Sequence, residues 1–214
     1  MLRRVILILA LSLALGSAGP VGAAVVITFW SHDQDQSFPH AFFALEGTPD
    51  AGGAAIDANY GFTAKAVTPA ILLGDVGGKV EDNKPAYLRR SEARFSVVLD
   101  DAQLAAVQAL IAEWSHDTRY NLKRRNCVHF VGEAARRAGL DVPSLPKLMK
   151  KPKAFLVAVG AANPGRVLPI DLSGPAYLAA REAAAAEPAE QGTPPPPPAP
   201  TLPSPAAASS PASF

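Results

Sequence analysis

The sequence predicts an α+β domain built on a mostly antiparallel sheet. Two observations carry this. Period-two apolar patterning fills the first half of the folded region, whereas helical periodicity fills the second. Strands first and helices late places the helices against an antiparallel sheet rather than between parallel strands.

The strands come first. "AVVITFW" (24–30) is rich in β-branched and aromatic residues, "HAFFALEG" (40–47) reads as a second strand and "AAIDANYGF" (54–62) as a third. The link "TPDAGG" is made of turn residues, so the second and third strands form a hairpin. "ILLGDVGGKVE" is interrupted by glycine and only weakly strand-like. "ARFSVVL" (93–99) is a further strand with Phe95, Val97 and Leu99 on one face.

Helices follow. Asp100 or Asp101 caps a helix from Ala102 to about Trp114, whose stripe is Leu104, Val107, Ile111 and Trp114, widened by Leu110. A second helix runs from about Cys127 to Ala138, with Asn126 at its N-cap and Gly139 just past its end. Phe130, Val131, Ala134 and Ala138 form its inward stripe. A third covers Lys147 to Val159, with a kink or restart at Pro152.

Both ends differ from this domain. Leu2-Arg3-Arg4, the apolar run from Val5 to Leu15 and the small residues ending at Ala23 read as a cleaved secretory signal over 1–23, with an uncleaved anchor as the alternative. No cysteine follows the apolar run, so lipoprotein processing is not expected. The chain is therefore read as exported, periplasmic or extracellular. The stretch 187–214 is Pro, Ala and Ser with little to bury. It is read as a disordered tail, a spacer or a point of envelope or cell-wall contact. Between them lie a domain over 24–170 and an extension over 171–186. The chain carries 20 basic and 19 acidic residues; loss of Arg3 and Arg4 with the signal leaves it slightly acidic, which argues against a nucleic-acid role. Oligomeric state is not legible.

Cys127 is the only cysteine, so it forms no disulfide within the chain. A helix N-terminus with Lys123, Arg124 and Arg125 just upstream favours a thiolate, and free N–H groups there could hold an oxyanion. A small buried core residue is the competing reading. A nucleophilic thiol needs an oriented base. His32 lies in a polar stretch, His116 follows a helix end, and His129 points away from Cys127 on the same helix. His40 opens an apolar strand, where a polar residue is out of place. If the hairpin folds about Thr48-Pro49, position 40 faces Asp57, with Asn59 of the same parity in reserve. No cofactor is indicated, and Cys127 with His129 offers too few ligands for zinc. "GDVGGK" lacks the spacing of a phosphate loop and reads as a turn. Lys147, Lys150, Lys151 and Lys153 read as a solvated face, with anionic lipid or wall polymer as the other possibility.

The stretch "YNLKRRNCVHFVGEAARRAGL" (120–140) resembles the cysteine box of circularly permuted papain-like proteins. These are permuted relatives of the NlpC/P60 superfamily, including lecithin:retinol acyltransferase-like and PPPDE-type families. "HAFFALEG" looks like their histidine strand. The resemblance implies a permuted papain-like fold, with Cys127 as nucleophile, His40 as base and Asp57 as orienter. It further implies an exported cysteine hydrolase or acyltransferase acting on amide or ester bonds, with cell-wall peptides first and lipid acyl groups second as substrates. A binding module that keeps the fold without catalysis is the non-enzymatic alternative.

Overall fold

The computed structural model describes residues 24–33 and 38–186. The signal and the Pro-rich tail expected at the two ends lie outside them. Among the described residues seven strands make one antiparallel sheet: β1 (Val25–His32), β2 (His40–Gly47), β3 (Ile56–Ala64), β4 (Val76–Glu81), β5 (Glu92–Leu99), β6 (Arg119–Tyr120) and β7 (Leu168–Ser173). Their order across the sheet is β6-β4-β3-β2-β1-β5-β7. The α-helices of the described residues are α1 (Pro85–Leu88), α2 (Asp101–His116), α3 (Cys127–Arg137), α4 (Pro152–Ala161) and α5 (Gly174–Ala186). The α+β class expected from the sequence is what forms. Among the described residues no helix is long and apolar enough to cross a membrane.

Strand alternation sends side chains to two apolar layers. Ile27, Phe29, Phe43, Leu45, Phe95 and Val97 meet the inward stripes of α2, α3 and α4. Phe130 of α3 stacks on Phe43 and packs at a tilt on Phe62 and Trp114. The other face holds Trp30, Phe42, Ala44, Leu88 and Ala93, covered by Tyr87, Ile170 and Tyr177. Tyr177 stands edge-on to the Trp30 ring, 4.9 Å between centroids. Thus β7 and α5 complete the sheet and roof its second face. The stretch over 171–186 is integral to the fold, and its expected boundary falls inside β7.

Local chemistry sets the helix ends. Asp100 accepts from the Gln103 N–H while the Gln103 side chain accepts from the Asp100 N–H, a reciprocal cap on α2. After α3 the chain turns at Gly139, with φ of 80°, and Leu140 N–H and Gly139 N–H donate back to Ala135 and Arg136. The expected third helix is a short 3-10 turn (Pro146–Leu148) followed by a restart at Pro152, as the ring of that proline requires. In "ILLGDVGGKVE" only Val76–Glu81 is strand; Ile71 and Leu72 belong to a 3-10 turn (Pro69–Leu72) that also begins with proline.

Candidate active site

Cys127 is the first residue of α3, and Asn126 fixes where that helix begins. The Asn126 side-chain oxygen accepts from the N–H groups of Val128 and His129, and its amide nitrogen donates to the carbonyls of Leu122 and Met149, both at 2.8 Å. One side chain thereby caps the helix and ties the preceding loop and the 146–149 turn to it. His129 completes the cap, its Nδ1 against Asn126, and is no base for the thiol. With the Val128 and His129 donors taken by Asn126, the Cys127 N–H is the first-turn donor left for an incoming oxyanion.

The thiol is buried, with 7% of the residue exposed, and lines a cavity of about 590 Å³. The same cavity is lined by His40, Asn83, Tyr87 and Tyr120. The two key side chains arrive by different routes. The β2–β3 ladder begins at Phe42↔Gly61, so His40 and Ala41 pair only with β1 and leave their other edge open. Cys127 comes in at that edge, where the backbone N–H of Ala41 is directed at its sulfur. His40 is bonded to Ala41 and shares a sheet face with Phe42, against which its ring stacks. Tyr87 stands edge-on to the same ring, at 6.2 Å.

Gly61 is what lets the His40 ring lie there. A Cβ at position 61 would sit 2.6 Å from His40 Nε2 and 3.3 Å from both Asn83 Nδ2 and Phe42 Cβ. His40 Nε2 and Asn83 Nδ2 are both buried and both without a hydrogen-bond partner, and both face this one spot. Buried polar groups left unpaired are costly; with Nε2 protonated and the Asn83 amide turned over, Oδ1 would face a donor on the ring. Asn83 is in turn held by Asn59, whose side chain accepts from the Asn83 N–H at 2.8 Å and donates to its carbonyl at 3.0 Å.

Asp57 is not part of this site. The hairpin turns over Pro49–Gly52, closed by Gly52 N–H to the Pro49 carbonyl, so the turn end of the ladder is Gly47↔Ile56. That pairs Asp57 with Glu46 rather than with His40, and its carboxylate is exposed, 3.0 Å from Arg181. Asn59 faces Ala44 and reaches the site through Asn83, not through the imidazole. His32 lies not in a loop but at the end of β1, opposite His40, buried, with Nδ1 3.3 Å from Ser91 Oγ and its ring stacked on Tyr87. His116 is exposed at the end of α2. Asn83 escapes a sequence reading because it sits in "EDNKP", a polar stretch like any turn.

The electrostatics differ from the expectation of an acidic thiol. Burial pushes the Cys127 thiol up to about 11, against the pull of the N–H groups of Ala41, Val128 and Cys127 itself. Two of the three upstream cations turn elsewhere: Arg124 pairs with Asp75, and the Arg125 guanidinium lies 3.7 Å over the Trp114 ring. Burial, then the neighbouring His32, holds His40 down to about 4. Tyr120 is raised to about 12 by burial and then by Cys127. At neutral pH the thiol and imidazole are both uncharged. Among the described residues no group of three or more His, Cys, Asp or Glu is placed to hold a metal ion. Comparison of the chain with protein-family models, curated proteins and solved structures found no match.

Proposed function

We propose that the protein is a thiol-dependent acyl hydrolase or acyltransferase with a permuted papain-like arrangement, Cys127 serving as nucleophile and His40 as base. One observation carries the reading: a buried thiol and an imidazole with an unsatisfied Nε2 line one cavity, the thiol approached by the N–H of the residue next to that histidine. With Nε2 on the Gly61 and Asn83 side, Nδ1 is the nitrogen left to serve the thiol. Asn83 is the third, orienting member in place of Asp57.

The steps balance around a pair that is neutral at rest. As Sγ attacks the carbonyl carbon of an ester or amide, the thiol proton moves to His40 and the oxygen gains charge beside the Cys127 N–H. The resulting oxyanion and imidazolium are stabilised by their short-range attraction in a poorly solvated site. His40 then protonates the leaving group, which departs and leaves a thioester on Cys127. Water or another hydroxyl gives its proton to His40, attacks the thioester and regenerates the thiol.

The cavity walls favour an apolar acyl group over a polar peptide. Val67, Ile71, Leu122, Val128 and Met149 line it beside the thiol. Lipid esters therefore stand ahead of cell-wall peptides. Intact-mass analysis after incubation with activated acyl esters tests the chemistry. One acyl group should appear on the wild type and none on Cys127→Ala, while His40→Ala should acylate slowly. Acylation of Cys127→Ala to the same extent would end the proposal. Turnover of lipid esters against muropeptide digests then ranks the substrates, and faster turnover of muropeptides would put cell-wall peptides first.

A further inference from the structure

Among the described residues, exposed apolar side chains gather about the cavity mouth. Leu73 is 88% exposed, Leu72 70%, Phe38 64% and Val67 61%. Single exposed apolar residues are ordinary, but these gather at one opening. Phe38 and Val67 line the cavity itself, as does Ile71, and Leu72 and Leu73 directly follow Ile71. The stretch "KAVTPAILL" (65–73) is exposed at every position except Ile71. It presents its larger apolar residues outward beside the way in to Cys127.

Cations surround the same opening. Lys84, Arg90 and Lys150 line the cavity, and all three are exposed. Lys65 begins the apolar stretch, and Lys151 follows Lys150. Among the described residues the acidic ones lining the cavity are Glu81, which is 2.5 Å from Lys79, and Asp82, and Asp33 lines a neighbouring groove with Lys150 and Lys151. Near the other end of the stretch, Asp75 is occupied by Asn121 and Arg124. Among the described residues, Lys65, Lys84, Lys150 and Lys151 thus border an apolar tip.

We infer that this mouth is a docking face for an anionic phospholipid surface. Leu72 and Leu73, flanked by Val67 and Phe38, enter the acyl region, while Lys65, Lys84 and Lys150 meet the phosphates. Apolar insertion and headgroup attraction reinforce each other when both belong to one face. A docked molecule would hold its cavity open to the lipid rather than to water. The inference takes its purpose from the thiol chemistry proposed above, but docking itself needs no catalysis.

Flotation of the full chain with vesicles tests it. Binding should be stronger on equal parts phosphatidylcholine and phosphatidylglycerol than on phosphatidylcholine alone, and should weaken with salt. The double variant Leu72→Glu/Leu73→Glu should lose binding at least about tenfold while melting as the wild type does. Cys127→Ala should bind as the wild type, so failure of the catalytic reading leaves this result standing. Leu73→Trp reads the stretch directly, whatever the rest of the chain contributes: its emission should shift to the blue on the mixed vesicles. An unchanged emission, or binding indifferent to the double variant, overturns the inference. So does concentration-dependent dimerisation that the double variant abolishes, with no response to vesicles, which would assign the face to a second copy of the chain.

Discussion

Gly61 occupies the one position where the imidazole, the Asn83 amide and Phe42 converge. Gly61→Ala should displace His40 at a steric cost of about 1–3 kcal/mol and lower turnover more than stability; urea melts beside acylation rates check this. Asn83→Ala should slow acylation at least about tenfold, with the pH–rate profile displaced, because the ring loses its orienting partner. Asn83→Asp should restore part of the rate, a recovery that a purely structural role would not show. The two buried titrating groups also set the pH range of the fold. His40 has a folded value near 4, below its ordinary 6.5, so protonation favours the unfolded chain as pH falls through that window. That removes about 3 kcal/mol between pH 6.5 and 4. Cys127 is raised from 9.0 to about 11, so the unfolded chain releases its proton first and stability declines as pH rises through that interval. Thermal melts should therefore show a plateau between the two windows, and His40→Gln should flatten the acid slope. Alkylation of Cys127 should be slow at neutral pH and accelerate toward alkaline pH.

At the scale of the element, α3 shows how the cysteine is seated. Its cap is a side chain that also holds the carbonyls of Leu122 and Met149. Asn126→Ala should cost about 2 kcal/mol in urea unfolding, at the upper end for a cap, because buried carbonyls lose donors as well. Much of this element is legible in the sequence: Asn126 and Gly139 bracket an apolar stripe of helical period, and α3 follows that pattern. The strand bearing His40 is equally legible, since "HAFFALEG" is apolar apart from its ends. What cannot be read is the hairpin register. "GTPDAGG" offers several turn positions, and closure at Pro49–Gly52 instead of Thr48–Pro49 moves Asp57 from His40 to Glu46. Turn geometry decides register, and a small shift moves every cross-strand neighbour. The thiol's acidity is hidden for a related reason. Proximity in sequence puts Arg124 and Arg125 beside Cys127, yet their side chains turn to Asp75 and Trp114.

Over the whole molecule, one feature is hidden from sequence reasoning: the part beyond Ile170 looks like an appendage. "LPIDLSGPAY" has prolines and glycine where a strand and helix would not be sought, and β7 is an edge strand, which tolerates them. Its pairing with β5 and the seat of Tyr177 on Trp30 become visible only when the sheet is assembled. Ending the chain after Ile170 removes the rest of β7 and all of α5, and uncovers Trp30. Such a truncation should lower the unfolding midpoint and shift tryptophan emission to the red, whereas a chain ending at Ala186 should match full length.

The position of β7 also bears on timing. β5 acquires its outer neighbour only from residues that leave the ribosome after α4, and Trp30 waits for Tyr177. A nascent chain that has not reached Leu168 therefore lacks the last rung of its sheet and one of its two apolar layers stays wet. Consolidation of the sheet is therefore postponed until α5 has emerged, and nascent chains stopped before Leu168 should be cleaved by protease faster than chains that include Tyr177.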